Sequence, residues 1–232
     1  MQAEDLLQAE DLLQVEGLLK EIKEADGNSL DLDRKLGPEI SDQNLETIAN
    51  AIASLPSLET LTLRGNNLGT RGQSAIDFIE KLASLPSLTS LNLRMNHVGS
   101  LGRIAINFAE KLALFPLLAS LNLDDNQLHS LSEDEAIAFA GAIAASTTIT
   151  SLDLAHNDLG RLNDHAIGHF IDTFSVSKIS RLNLESNFSL PNSPDILGKA
   201  LSNLPYLTTL SLNSNRLFRK APVFFPRTRS IQ

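Results

Sequence analysis

The sequence predicts an α/β solenoid, right-handed and curved, with a parallel sheet on its concave side and helices on its convex side. Three observations predict it. The pattern L-x-x-L-x-L-x-x-N-x-L fills Leu58–Leu68 and returns at Leu88–Val98, Leu118–Leu128, Ile149–Leu159 and Leu207–Leu217, with a degenerate copy from Ile179 through Asn187. Its second leucine recurs at Leu61, Leu91, Leu121, Leu152, Leu182 and Leu210, in steps of 30, 30, 31, 30 and 28 residues. A fixed period in this range marks supersecondary units that bury their apolar faces only by stacking. The segments between copies also align, with Ile79, Ala109, Ala140 and Phe170 in one apolar column. Short right-handed crossovers then put every helix on the same side of the sheet, and helices, being wider than strands, bend the stack around it.

Three segments are expected: a helical cap over 1–28, the repeat domain over 29–217, and a C-terminal cap with a basic tail over 218–232. Residues 2–19 repeat Gln-Ala-Glu-Asp-Leu-Leu twice and then vary it to Gln-Val-Glu-Gly-Leu-Leu. These are good helix formers. A six-residue unit turns a helix by about 600°, so the leucine pairs share no face and no coiled coil results. Leu18, Leu19 and Ile22 are expected to cover the first repeat, with a partner-binding or self-associating helix as the alternative, and Gly27 ends the helix.

Ser29–Leu32 is expected as a degenerate first strand, because Leu30 precedes Leu61 by 31 residues. Lys35 stands where later repeats carry Asn, so the loop there must be built differently. Ser41 is placed to cap a helix with Leu45, Ile48, Ala49 and Ile52 inside. Further helices are expected at about 72–84, 102–114, 133–145, 163–174 and 194–203. Pro56, Pro86, Pro116 and Pro205 end the return segments. Phe78, Phe108 and Phe139 form a column continued by His169 and Leu197, which implies that His169 packs between helices. Asn66, Asn96, Asn126, Asn157, Asn187 and Asn215 form a ladder, since an amide can both donate to and accept from the backbone groups released where the chain leaves the sheet. The sequon Asn187-Phe188-Ser189 is set aside because a ladder Asn is buried. Phe218, Val223, Phe224 and Phe225 are expected in an irregular cap; an exposed basic-aromatic peptide or an export signal is the alternative.

The repeats resemble the leucine-rich-repeat family, and the 28–31 spacing with a helical return resembles its ribonuclease-inhibitor-like subclass. The absence of cysteine, the terse repeats and the acidic N-terminal tandem are similar to leucine-rich-repeat effectors of intracellular bacterial pathogens. That resemblance implies a non-catalytic protein–protein interaction scaffold, an effector secreted into the host-cell cytoplasm to bind a host protein in virulence. The alternative it offers is a direct regulator, an inhibitor or GTPase activator, of a partner enzyme. Some such effectors carry a cysteine-dependent ubiquitin-ligase domain, for which this chain has neither the length nor the cysteine.

Composition agrees. Aromatic residues make up 5% and tryptophan is absent, so the core is aliphatic. The net charge of −9 argues against nucleic acid as a partner. With no cysteine, disulfides, thiolate metal sites and cysteine nucleophiles are excluded. No run approaches a membrane span, and the N-terminus has no Sec-type signal pattern. A monomer is expected.

Strand alternation lists the open face. Its columns run Thr60, Ser90, Ser120, Ser151, Arg181, Thr209; then Thr62, Asn92, Asn122, Asp153, Asn183, Ser211; then Arg64, Arg94, Asp124, Ala155, Glu185, Asn213. Beyond them lie Gly65, Met95, Asp125, His156, Ser186 and Ser214. The expected partner-binding residues are Arg64, Arg94, Asp124, Asp125, Asp153, His156, Arg181 and Glu185. Arg64 and Arg94 flank an acidic centre at Asp124, Asp125, Asp153 and Glu185, suited to a partner's basic patch; local Arg94–Asp124 pairing is the structural alternative. His165 and His169 have metal-like spacing, but a third ligand and the adjacent Glu of a metalloprotease are missing. No catalytic residue, metal site or cofactor is expected.

Overall fold

The computed structural model describes residues 3–25, 27–188 and 194–216; the expected C-terminal cap and tail lie outside the described residues. Seven strands form one parallel sheet in sequence order: β1 (Ser29–Asp31), β2 (Thr60–Thr62), β3 (Ser90–Asn92), β4 (Ser120–Asn122), β5 (Ser151–Asp153), β6 (Arg181–Asn183) and β7 (Thr209–Ser211). Leu30, Leu61, Leu91, Leu121, Leu152, Leu182 and Leu210 stand opposite one another, one per strand. The degenerate first strand therefore pairs in the register that the 31-residue spacing predicts.

Each strand is short because its central leucine points into the core while its neighbours face outward. Leu61, Leu91, Leu121 and Leu152 are buried, and the residues on either side of each are half-exposed. Return helices cover the buried face only: α1 (Ala3–Glu24), α2 (Asp42–Ala53), α3 (Gln73–Leu82), α4 (Ala105–Leu112), α5 (Glu133–Ala144), α6 (Asp164–Asp172) and α7 (Pro194–Ser202). Among the described residues, no helix is long and apolar enough to cross a membrane.

The helices begin in two ways. Ser41, Ser132 and Asn163 cap α2, α5 and α6 by accepting the backbone N–H three residues on. In front of α3 and α4 stand Gly72 (φ 55°) and Gly102 (φ 56°) instead. Their backbone turns through a region that L-residues avoid. α3 starts directly after its glycine, whereas a 3₁₀ stretch running to Ile104 delays α4 to Ala105 rather than the expected 102. Short 3₁₀ turns that the repeat pattern did not predict carry the chain out of the sheet at Leu68–Thr70, Val98–Ile104, Leu128–Ser130 and Leu159–Arg161. Each buries its first residue.

The asparagine ladder joins these parts. Asn96 Oδ1 accepts the N–H of Asn66 (3.1 Å) and Leu68 (3.3 Å) in the preceding repeat. Its Nδ2 donates to the carbonyls of Leu63 (2.8 Å) and Leu93 (3.0 Å). Asn126, Asn157 and Asn187 repeat this arrangement, all fully buried. At the first repeat Lys35 replaces the amide: its ammonium donates to Asp31 O (2.9 Å) and to Glu21 Oε1 of α1. A cation thus ends the ladder and ties the N-terminal helix to it.

Among its described side chains, helix α1 packs apolar residues against the core from Val15 onward. Val15, Leu18 and Ile22 are buried, while Leu12 and Leu13 are 56% and 71% exposed. Leu19, expected inside, is only partly buried. The phenylalanine column is interrupted at His169, while Leu197 beyond it is buried as expected. Phe78, Phe108 and Phe139 are buried, but His169 is exposed. The residue before it, Gly168, takes the contact with α7: a Cβ there would lie 2.9 Å from Ile196 Cγ2. Close approach of the two helices at Gly168 leaves the next side chain pointing to solvent.

Candidate functional site

The open face starts from the second outward column, whose short polar side chains hold the loop after each strand. Asn92 Oδ1 accepts the N–H of Arg94 (3.0 Å), Asn122 that of Asp124 (2.8 Å), Asp153 that of Ala155 (2.9 Å) and Asn183 that of Glu185 (3.0 Å). These are Asx turns. Thr62 makes no such bond; there Asp33 of the first repeat accepts the N–H of Arg64 (3.0 Å). The next position is left-handed in every repeat: Arg34, Gly65, Met95, Asp125, His156, Ser186 and Ser214 all have positive φ. All but the last of the non-glycine residues there donate their N–H to a carbonyl of the next repeat, as Met95 N–H to Asp124 O (3.0 Å) shows. The result is a regular row of side chains lifted to the upper edge of the face.

On this frame Arg94, Asp124 and His156, from three consecutive repeats, form one cluster. Asp124 Oδ1 accepts from His156 Nδ1 at 2.8 Å. Arg94 Nε lies 3.0 Å from Asp124 Oδ2, an ion pair without the alignment of a hydrogen bond. Asp124 is 9% exposed as a side chain, between Arg94 at 38% and His156 at 48%. Burial pushes its carboxyl above the ordinary carboxylate value, against the lowering effects of the His156 hydrogen bond and the Arg94 charge. Local Arg94–Asp124 pairing, the alternative the sequence allowed, is present.

The other expected residues are placed separately. Arg64 lies 3.9 Å from Asp33 and donates to Met95 Sδ at 3.6 Å, away from the acidic centre. Asp125 and Asp153 are half-exposed, and one Asp153 oxygen is occupied by its own turn. Arg181 is exposed on β6, and Glu185 accepts from Ser214 Oγ at 3.3 Å. Sequence reasoning missed Asp33 and Arg34, because the degenerate first repeat was left out of the columns; the 31-residue offset from Arg64 and Gly65 would have found them.

His165 and His169 stack edge to face with ring centroids 4.3 Å apart, both exposed. Among the described residues no three His, Asp or Glu side chains converge on a metal position. An open cleft of about 450 Å³ lies off the face, between α1 and β1, lined by Gly17, Lys20, Glu21, Glu24 and Asp31.

Comparison with known proteins follows the same lines. The leucine rich repeat family matches residues 54–76, 84–106 and 145–161. No curated protein is significantly similar in sequence. The fold is similar to that of the leucine-rich repeat-containing protein LegL7 from Legionella pneumophila, at 24% identity and a TM-score of 0.53, covering 86% of this chain and 70% of that one. The tropomodulin C-terminal domain of Caenorhabditis elegans aligns at 11% identity and a TM-score of 0.41, over 83% of this chain and 92% of that one. Motif, asparagine ladder, parallel sheet and the repeat matches agree: the chain carries leucine-rich repeats and folds as an α/β leucine-rich-repeat solenoid.

Proposed function

We propose that this protein is a non-catalytic scaffold that docks a protein partner on the open strand face, as an effector delivered by a bacterium into a host cell. The observation that carries the docking surface is the face itself. Consecutive repeats present one outward row after another; Arg181 is exposed there, and Asp125, Asp153 and Glu185 stay partly exposed. Nothing in the repeat requires charge at these places, since Ser, Thr and Asn fill the neighbouring columns. A partner's basic patch fits Asp125, Asp153 and Glu185, and complementarity of this kind acts mostly on association rate and partner choice. The effector part rests on the cysteine-free, terse repeats and the acidic N-terminal tandem; the likeness to the Legionella protein concerns the fold.

The test is capture of a partner from host-cell lysate by the wild-type chain and by Asp125→Lys/Glu185→Lys. These two side chains hold neither the ladder nor an Asx turn, so folding should be unaffected. Capture that falls in the variant and weakens with salt in the wild type supports the proposal. Equal capture removes the strand face as the site. A captured enzyme whose turnover changes would make the protein a regulator instead.

A further inference from the structure

We infer that the N-terminal half of the open face is an anion subsite, built from Arg34 and Arg64, that takes the carboxylates of an acidic segment of the protein partner. The inference presupposes docking on the open face and adds a second pole to it.

Three arginines, Arg34, Arg64 and Arg94, sit on consecutive repeats, and each reaches toward the next repeat. Arg94 meets a carboxylate there, Asp124, at 3.0 Å. Arg64, one repeat earlier, meets only the sulfur of Met95 at 3.6 Å. Its Nε is buried with no acceptor, and the one acid near it, Asp33, lies 3.9 Å away and spends its Oδ1 on the Arg64 backbone N–H. Arg34 meets Gly65: its stem lies where a Cβ would stand, which would be 2.8 Å from Arg34 Cγ. Glycine at this point of the left-handed row leaves room for the Arg34 side chain beside Arg64. Arg34 is exposed, and no carboxylate among the described residues pairs with it.

Three consecutive repeats thus contain a neutralised arginine, Arg94, its register neighbour Arg64 without a full partner, and Arg34 one position along, in the row of Gly65 and Met95. Adjacent strands stand about 4.8 Å apart, so both guanidinium groups can engage one carboxylate or two neighbouring ones. A guanidinium holds a planar carboxylate through paired N–H donors, and the partly exposed Arg64 side chain can offer its terminal Nη donors. The chain's nearby acids serve only in part: Asp33 reaches Arg64 at 3.9 Å through Oδ2 alone, Asp31 Oδ1 is bonded to Asp33 N–H at 2.9 Å, and Asp124 is taken by Arg94 and His156. The partner is therefore bipolar, with acidic residues over Arg34 and Arg64 and basic residues over Asp125, Asp153 and Glu185.

The experiment follows the arginine Nε–H signals of the ¹⁵N-labelled full chain by NMR during titration with a glutamate decamer. Shifts at Arg34 and Arg64, together with weakening of about tenfold or more in Arg34→Gln/Arg64→Gln at unchanged circular dichroism, are expected. Shifts spread evenly over all arginines, or unchanged binding in the double variant, would overturn the subsite. Inorganic phosphate displacing the decamer at equal concentration would replace the carboxylate assignment with a phosphate one and overturn it as stated. A lysine decamer, tested against Glu185→Lys, reads the acidic pole separately. If it still binds there while the glutamate decamer fails, the subsite alone falls; if both fail, the open-face proposal falls with it.

Discussion

At the scale of single residues, two kinds of asparagine look alike in the sequence and do different work. Asn126 Oδ1 accepts from Asn96 N (3.1 Å) and Val98 N (3.3 Å), and its Nδ2 donates to Leu93 O (2.9 Å) and Asp124 O (3.2 Å). Asn92 accepts one bond, from Arg94 N, at a half-exposed position. Asn126→Ala leaves buried groups unpaired and should cost about 1–3 kcal/mol, against less than about 1 kcal/mol for Asn92→Ala. Thermal melts of the two variants should differ clearly, and equal melting points would contradict the ladder. Asp124 gives a second residue-scale expectation. Its carboxyl titrates above 3.8 in the folded chain because burial disfavours the charge. The folded state then holds the proton more tightly than the unfolded one, so this residue's contribution is most favourable at low pH. That contribution declines as pH rises from 3.8 through the raised value. The wild type should therefore lose stability relative to Asp124→Asn as pH rises above 3.8. A difference that grows with pH would mean that the Arg94 and His156 partners outweigh burial.

At the scale of elements, the strands and the ladder were legible because their period is written in every repeat: two leucines one residue apart, then Asn. Even β1, with Lys35 in place of Asn, was found from the 31-residue offset alone. The helix starts were less legible. Ser41 reads directly as a cap, but Gly72 and Gly102 mark a start only through a positive φ, which no spacing reveals. His169 was misplaced because column alignment assumes equal packing, and the close contact at Gly168 changes which residue faces inward. The open face was legible as a set of columns. Its chemistry was not, because whether Asp124 is an open charge or a clasped one depends on how Arg94 and His156 reach across repeats. Glycine substitutions test the element account. A Cβ at Gly102 meets nothing within 4 Å, so Gly102→Ala feels only the positive-φ backbone and should cost about 1–3 kcal/mol. Gly141, inside α5, also has open space around it, and Gly141→Ala should stabilise by about 0.5–1 kcal/mol. Denaturant midpoints moving in opposite directions would bear out both; a shared direction would contradict them.

At the scale of the molecule, one parallel sheet keeps one face for the core and leaves the other open. Apolar rows on the helix side, from Leu30 to Leu210, make every repeat depend on its neighbours, while the outward rows stay free to vary. Function on such a frame resides in which charges stand in register, and here an arginine-rich N-terminal half gives way to an acidic centre. The most direct measurement is hydroxyl-radical footprinting of the chain with and without its captured partner. Met95 and His156 lie on the left-handed row of the open face, and His165 and His169 lie exposed on α6 among the helices. Docking on the strand face predicts that oxidation of Met95 and His156 falls on binding while that of His165 and His169 is unchanged. Protection of His165 and His169, with Met95 and His156 still reactive, would contradict it.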